Sequence, residues 1–143
     1  MNLDLHAAID VNTVFKKNRT SIPNLGTLMK ATFIELPPFE RLRETYLDDA
    51  SFKRLQEEMM RNPNAGDIIQ GTGGLRKLRY VDQRRSKGKR GGLRVIYFFK
   101  VADDQFWLFT VYDKGEADDL SADQRKALKG RLELEIKVRS TKQ

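Results

Sequence analysis

Two neighbouring apolar segments constrain the fold of this chain more than any other feature. They are residues 93–101, LRVIYFFKV, and residues 105–112, QFWLFTVY, and together they hold more than half of the chain's aromatic residues. Aromatic and β-branched residues are enriched in strands. The three residues between the segments, ADD, are enough for a tight turn. The sequence therefore predicts a β-hairpin at the centre of a sheet.

One strand and two helices are predicted before this hairpin. From Lys30 to Leu36 the side chains alternate with the period of a strand, and Pro37-Pro38 ends it. Two groups of apolar residues then follow at helical spacing. They are Phe39, Leu42, Tyr46 and Leu47 in the first group, and Phe52, Leu55 and Met59 in the second. The two groups predict a helical hairpin.

The ends of the second helix and of a C-terminal helix are marked by polar residues. Asp49 or Ser51 is placed to cap the second helix, and Asn62-Pro63 stops it. A glycine-rich loop, residues 62–74, leads to a further strand, Leu75 to Val81. Near the C-terminus Ser121 and Gln124 match a capping box. Apolar residues continue that helix at Leu128, Leu132 and Ile136.

The predicted order is β-α-α-β-β-β-α in a single α/β (α+β) domain, with a small, mainly antiparallel twisted sheet packed by helices. Residues 1–28 show only loose apolar spacing, whereas the strong patterning begins at Met29. Two interpretations of residues 1–28 are open: an extension from an upstream start, which we favour, or a genuine extra helix. The predicted domain spans residues 29–138, and residues 139–143 form a tail.

The positive charge of the chain is concentrated in one segment, Leu75 to Arg94. Nine Lys or Arg and one acid give this segment a net charge of +8, against +7 for the whole chain. Like charges packed so densely repel one another unless a polyanion joins them. Most of them fall in residues 82–92, DQRRSKGKRGG, between two predicted strands, which predicts a basic loop on a rigid support. Nucleic acid is the first candidate ligand.

Several other functions are disfavoured by the composition. The chain has no Cys and one His, which removes thiolate sites and suits a reducing cytoplasm. No apolar run reaches the ~20 residues of a membrane span. The glycines at 71, 73 and 74 lack the lysine of a phosphate-binding loop. Three acid pairs, residues 48–49, 103–104 and 118–119, fall at turns or helix starts, so a metal-dependent nuclease is disfavoured.

Three longer segments resemble a known family. They are GDIIQGTGGLRKLR, SKGKRGGLRVIYFF and FTVYDKGEADDLSADQRKAL, and with FERLRETYLDD they extend the similarity over about residues 29–135. The chain resembles HigB-type toxins of the RelE superfamily, the toxic partners in bacterial type II toxin-antitoxin pairs. Residues 1–28 are where it departs from that family.

The resemblance implies a function, a mechanism and partners. It implies a cytoplasmic, ribosome-dependent mRNA endoribonuclease that acts in the ribosomal A site without a metal or cofactor. The ribose 2′-OH would attack the adjacent phosphate, with lysine, arginine and tyrosine replacing histidine. The expected partner is a HigA-type helix-turn-helix antitoxin, and no membrane is involved.

The candidate site residues follow from the basic segment and from the resemblance. The catalytic candidates are Lys87, Lys89, Arg94 and Tyr112. The candidates for RNA or ribosome binding are Arg76, Lys77, Arg79, Arg84, Arg85, Arg90 and Lys114. Crowded positive charge lowers the pKa of a lysine and so favours an acid-base role.

Two of these catalytic candidates carry structural expectations as well. Arg94 is expected to be exposed on a central strand, where it would stabilise charge on the phosphorane. Tyr112 is expected either to stack on a base and reach the ribose, or merely to close the core.

The rival function is a non-catalytic RNA-binding or ribosome-associated module, in which the basic segment only holds phosphates.

Overall fold

The computed structural model describes residues 19–23, 30–82, 88, 92–116 and 119–141. In this part of the chain six strands and three α-helices follow one another, with 3₁₀ turns at 101–103 and 114–116. The strands are β1 (Arg19–Pro23), β2 (Lys30–Glu35), β3 (Asp67–Ile68), β4 (Arg76–Tyr80), β5 (Leu93–Lys100) and β6 (Gln105–Asp113). The helices are α1 (Pro37–Tyr46), α2 (Asp49–Arg61) and α3 (Ala122–Thr141).

The strands form one mixed sheet in the order β1-β2-β6-β5-β4-β3. Among the described strands, β2 and β6 are the parallel pair, and the other neighbours are antiparallel. The predicted α+β class and the mainly antiparallel sheet are therefore confirmed. The described helices include none long and apolar enough to cross a lipid bilayer.

Helices α1 and α2 pack on one face of the sheet. Phe39 and Tyr46 of α1, with Phe52, Leu55 and Met59 of α2, are buried against the strands, as the helical spacing predicts. The predicted cap of α2 is wrong by one residue, because Asp48 accepts a hydrogen bond from the Ser51 backbone N–H at 2.7 Å. Asn62 ends α2 as predicted.

Helix α3 covers the opposite face. The predicted capping box is present: the Gln124 backbone N–H donates to Ser121 Oγ at 3.1 Å, and the Ser121 N–H donates to Gln124 Oε1 at 2.9 Å. Leu128 and Leu132 are buried against the sheet, whereas Ile136 is 41% exposed. The third predicted apolar contact of the helix is therefore absent.

An ionic cluster replaces that contact. Glu135 is fully buried and accepts hydrogen bonds from Arg131 Nε at 3.2 Å and Arg139 Nε at 3.0 Å. The Arg139 guanidinium also lies 5.3 Å from the centroid of the Trp107 ring, a cation–π distance. The C-terminal half of α3 is thus held by charge and stacking.

Two strands lie outside the predicted order. β1 pairs with β2 and falls within residues 1–28, the segment interpreted as an extension. β3 has two residues, inside the predicted glycine-rich loop, and pairs with β4. Helix α3 likewise continues past residue 138 into the predicted tail. The described sheet and helix therefore extend beyond both ends of the predicted domain.

Candidate nucleic-acid interface

The ends of β4, β5 and β6 meet where the basic loop is attached. Tyr80 pairs with Leu93 at the loop end of the β4–β5 hairpin, and the Lys114 N–H donates to the Gly92 carbonyl at 3.0 Å. A Cβ on Gly92 would collide with the Tyr80 carbonyl oxygen and lie 2.7 Å from that of Gly88. Glycine is therefore required for this close approach of three strand ends.

Three predicted site residues form a row across these strand ends. Arg79 of β4 pairs with Arg94 of β5, which in turn pairs with Tyr112 of β6. Directly paired residues point to the same face of a sheet. Tyr112 packs in the cluster beneath α3, so the row lies on the α3 face. Strands β4, β5 and β6 thus bring these three side chains together.

A β-bulge in β6 decides which way Tyr112 points. Ile96 pairs with Thr110 but Tyr97 pairs with Leu108, so Phe109 is an extra residue on β6. Because side chains alternate between faces, one extra residue reverses the facing of every residue beyond it. Without the bulge Tyr112 would face α1 and α2. With it, Tyr112 joins the row that contains Arg94.

The prediction that Arg94 is exposed is wrong. Its side chain is 4% exposed, and Nη1 donates to the Leu93 carbonyl at 3.1 Å. Arg94 lies on β5, an interior strand, between Arg79 on β4 and Tyr112 on β6, and these neighbours cover its side chain on both sides. Arg79, closer to the sheet edge, is the exposed guanidinium of the row. Removing Arg94 therefore disturbs packing as well as charge.

Tyr112 is buried as well, at 1% exposure. Its ring packs in the core beneath α3, so stacking on an RNA base is excluded in this conformation, and the alternative that Tyr112 closes the core is correct for the ring. Burial raises the pKa of Tyr112 to about 12; the nearby Arg94 guanidinium opposes this rise, and the Asp119 carboxylate adds to it. The hydroxyl remains protonated at neutral pH.

The hydroxyl of Tyr112 has an unusual environment. Together with the Thr110 hydroxyl two residues earlier, it is buried without a hydrogen-bond partner among the described residues. Buried hydroxyl groups in native proteins are nearly always hydrogen-bonded, so such a group calls for an explanation, and a functional role is one. The geometry gives this hydroxyl a proton to donate and a cationic neighbour, Arg94.

The other predicted binding residues divide into two groups. Lys77 lies on the same face as Arg79, whereas Arg76 alternates to the opposite face. Arg76 Nη1 donates to the Gly66 carbonyl at 2.7 Å and the Asn64 carbonyl at 3.3 Å, which ties down the loop before β3. Lys114 is half-buried beside the loop attachment. The remaining candidates lie outside the described residues: Arg84, Arg85, Lys87, Lys89 and Arg90.

A groove of about 710 Å³ adjoins the row between the β3–β4 edge and the start of α3. Lys77 and Arg79 line it on the strand side, and Asp119, Leu120 and Arg125 line it near the helix. None of these last three residues is among the site residues that the sequence predicts. Asp119 belongs to an acid pair at a predicted turn or helix start. No local signal places residues about 40 positions apart in one groove.

The glycine-rich loop forms the remaining part of the groove and is ordered. Thr72 is fully buried; its hydroxyl donates to the Ile69 carbonyl at 2.7 Å and accepts from the Leu75 N–H at 3.2 Å. Gly71, Gly73 and Gly74 have positive φ angles, the conformation that glycine adopts most readily. These glycines shape a turn.

Among the described residues, no group of three or more His, Cys, Asp or Glu is arranged to hold a metal ion. A comparison of the sequence with models of known protein families finds no match. Cations, a protonated tyrosine and a mixed-charge groove make up the described part of the interface.

Proposed function

We propose that this protein is the toxin of a type II toxin-antitoxin pair, a ribosome-dependent mRNA endoribonuclease of the RelE type. The observation that supports it best is the row Arg79–Arg94–Tyr112. Two of its members belong to the segment Leu75 to Arg94, which has a net charge of +8. Phosphate binding alone requires only exposed cations. Such binding does not need a buried guanidinium paired with a tyrosine, which in this proposal forms the fixed support of the site.

The roles of the residues follow from their exposure. Arg79 is exposed, and its planar guanidinium can bind a phosphate through two hydrogen bonds. Lys87 and Lys89, separated by Gly88, act as acid or base and as electrostatic support in this proposal. Arg94 is buried, so we assign it a positioning role: it fixes a positive charge behind the site, next to Tyr112.

The reaction needs no cofactor in this proposal. The 2′-OH of one ribose loses its proton to a base and attacks the adjacent phosphorus. The P–O5′ bond then breaks, and the leaving oxygen takes a proton from an acid. The products are a 2′,3′-cyclic phosphate and a 5′-OH end. Cations around the phosphate stabilise the charge that develops on its oxygens.

The proposed partners follow from the charge and from the resemblance to HigB-type toxins. In this proposal the domain presents a basic surface to the RNA, and the ribosomal A site supplies the remaining contacts. A protein that is toxic in the cytoplasm needs an inhibitor, for which a HigA-type helix-turn-helix antitoxin is the candidate. Both partners are part of the proposal.

A second function is favoured by one specific observation. Arg94 and Tyr112 are buried, which suits a non-catalytic RNA-binding or ribosome-associated module in which exposed cations hold phosphates and the row supports the sheet. The two functions differ in whether particular side chains are essential for chemistry. Net charge does not distinguish them.

A translation reaction with mapped message ends tests the proposal. Purified protein is added with and without ribosomes, and cleavage ends are located by primer extension. Lys89→Ala should reduce cleavage by roughly 10²-fold or more, the scale of a lost acid-base contact. Arg85→Ala should weaken binding mildly, and Lys53→Ala, an exposed lysine on α2 at the other face, should change nothing.

Four results would refute parts of the proposal. Absence of cleavage on translating ribosomes would exclude the endoribonuclease. Equal, small losses for Lys89→Ala and Arg85→Ala, both reversed at low salt, would favour the non-catalytic module. Efficient cleavage of naked mRNA at the same codons would exclude ribosome dependence. The toxin assignment would fail if high-level production of the protein alone left growth and translation unchanged.

A further inference from the structure

The groove beside the row has the composition of a binding site for part of a ligand. Its volume of about 710 Å³ lies within the range of small-molecule sites. Ile69 and Leu120 line it with side chains that are 8% and 6% exposed, so part of its wall is apolar and fixed. Charged groups of both signs surround this apolar part: Lys77 and Arg79 on β4, Asp67 on β3, Asp119 before α3 and Arg125 in its first turns.

The carboxylate of Asp119 is unexpected next to a surface that binds a polyanion. Phosphates are repelled by a carboxylate, so Asp119 lowers the affinity for a nucleic-acid backbone. Carboxylates that face nucleic acid instead accept hydrogen bonds from base amino groups. Asp119 is also close to the row, because its charge contributes to the raised pKa of Tyr112. The groove and the row therefore share one wall.

We propose that this groove takes one nucleotide of the message next to the cleaved bond, and that Asp119 selects a base with an exocyclic amino group. This inference rests on the proposed endoribonuclease function. Arg79 and Lys77 bind the phosphate, and the side chains of Ile69 and Leu120 contact the face of the base. The amino group of adenine, cytosine or guanine donates to Asp119. Uracil has no amino group and presents a carbonyl oxygen at O4, so it is disfavoured.

Asp119 also lies where an acid stabilises helix α3, and this role has to be separated from base recognition. It precedes the first turn of α3 by three residues, where a negative charge interacts favourably with the helix dipole. Asp123, in that first turn, is exposed, carries the same charge and does not line the groove. It is therefore the matched control, because both acids lie at the helix terminus and only Asp119 faces the groove.

The test measures base preference in ribosome-dependent cleavage. Messages that carry each of the four bases at each position of a test codon are cleaved by the wild type, Asp119→Asn, Asp119→Ala and Asp123→Asn. The wild type should discriminate against uracil by about tenfold or more at one position, the scale of a base-edge hydrogen bond. Asp119→Asn should remove that discrimination, because an amide can donate to O4. Asp123→Asn should keep the wild-type preference.

The outcomes separate this inference from the proposed function. If the wild type cleaves and both Asp119 variants keep its base preference, the groove does not read a base and the inference is wrong. The inference is also wrong if the Asp119 variants change the cleavage rate equally at all four bases, or if the wild type shows no base preference. If the wild type does not cleave at all, the proposed function fails first. Unfolding curves of the same samples show whether each variant is folded.

Discussion

Removing the hydroxyl of Tyr112 should have the opposite effect on stability from removing that of Tyr97. The Tyr97 hydroxyl donates to the Pro63 carbonyl at 2.8 Å and accepts from the buried Gly66 N–H at 3.1 Å. Tyr97→Phe leaves these groups unpaired and should cost about 1–3 kcal/mol in the free energy of unfolding. The Tyr112 hydroxyl has no partner among the described residues, so Tyr112→Phe should be neutral or stabilise by about 1 kcal/mol.

The difference between wild type and Tyr112→Phe should grow at alkaline pH. Below pH 10 the Tyr112 side chain is neutral in the folded and unfolded states. Above pH 10 it ionises in the unfolded chain, where its pKa has the ordinary value, but burial holds the folded pKa near 12. The wild type therefore loses stability as pH rises through this window. One pKa unit corresponds to about 1.4 kcal/mol, so the loss between pH 9 and pH 11 should be on the order of 1 kcal/mol.

Denaturant unfolding of the three proteins at pH 7, 9 and 11 measures both effects. Subtracting the wild-type curve from that of Tyr112→Phe removes the contributions that the two proteins share. The reasoning would be refuted if Tyr112→Phe cost as much as Tyr97→Phe at pH 7. It would also fail if the difference between wild type and Tyr112→Phe did not change from pH 9 to pH 11.

Three further predictions concern the supports of the site. Gly92→Ala should lower the free energy of unfolding by about 1–3 kcal/mol, because the added Cβ collides with backbone atoms. Gly88→Ala should have little effect, because there is open space around Gly88. Equal effects of the two substitutions in thermal unfolding would contradict this prediction. Glu135→Ala should cost about 3–5 kcal/mol because it removes the buried carboxylate that accepts hydrogen bonds from two buried guanidinium groups. Glu133→Ala, exposed on the same helix, should cost little in denaturant unfolding. Ser121→Ala should cost about 1 kcal/mol and reduce protection of the first α3 amides in hydrogen exchange, and unchanged protection would argue against the capping box.

The parts of the fold that the sequence predicted are those with a strong local signal. The β5–β6 hairpin is marked by dense aromatic residues, and α1 and α2 by apolar residues at helical spacing. The capping box at Ser121 is a two-residue pattern with a direct physical cause. In each case the residues that determine the element lie close together in the chain.

The parts that were missed depend on contacts between distant residues or on a single extra residue. The bulge at Phe109 changes no local preference but reverses the facing of Tyr112. The burial of Arg94 follows from its neighbours in the row, which come from two other strands. β3 has two residues, too few for an alternating pattern. The groove joins β4 to the start of α3, which no local pattern relates.

The parallel pair in the sheet determines when the molecule can complete its fold during synthesis. Thr32 of β2 pairs with Gln105 of β6, which is 73 residues later in the chain. At about 5–20 residues per second, the ribosome needs roughly 4–15 s to make that intervening chain. During this interval Phe33 and Ile34 lack the strand that buries them, while the β5–β6 hairpin can form within microseconds of its emergence. The nascent chain therefore exposes an apolar strand edge that a chaperone can bind, and closure of the sheet waits for β6.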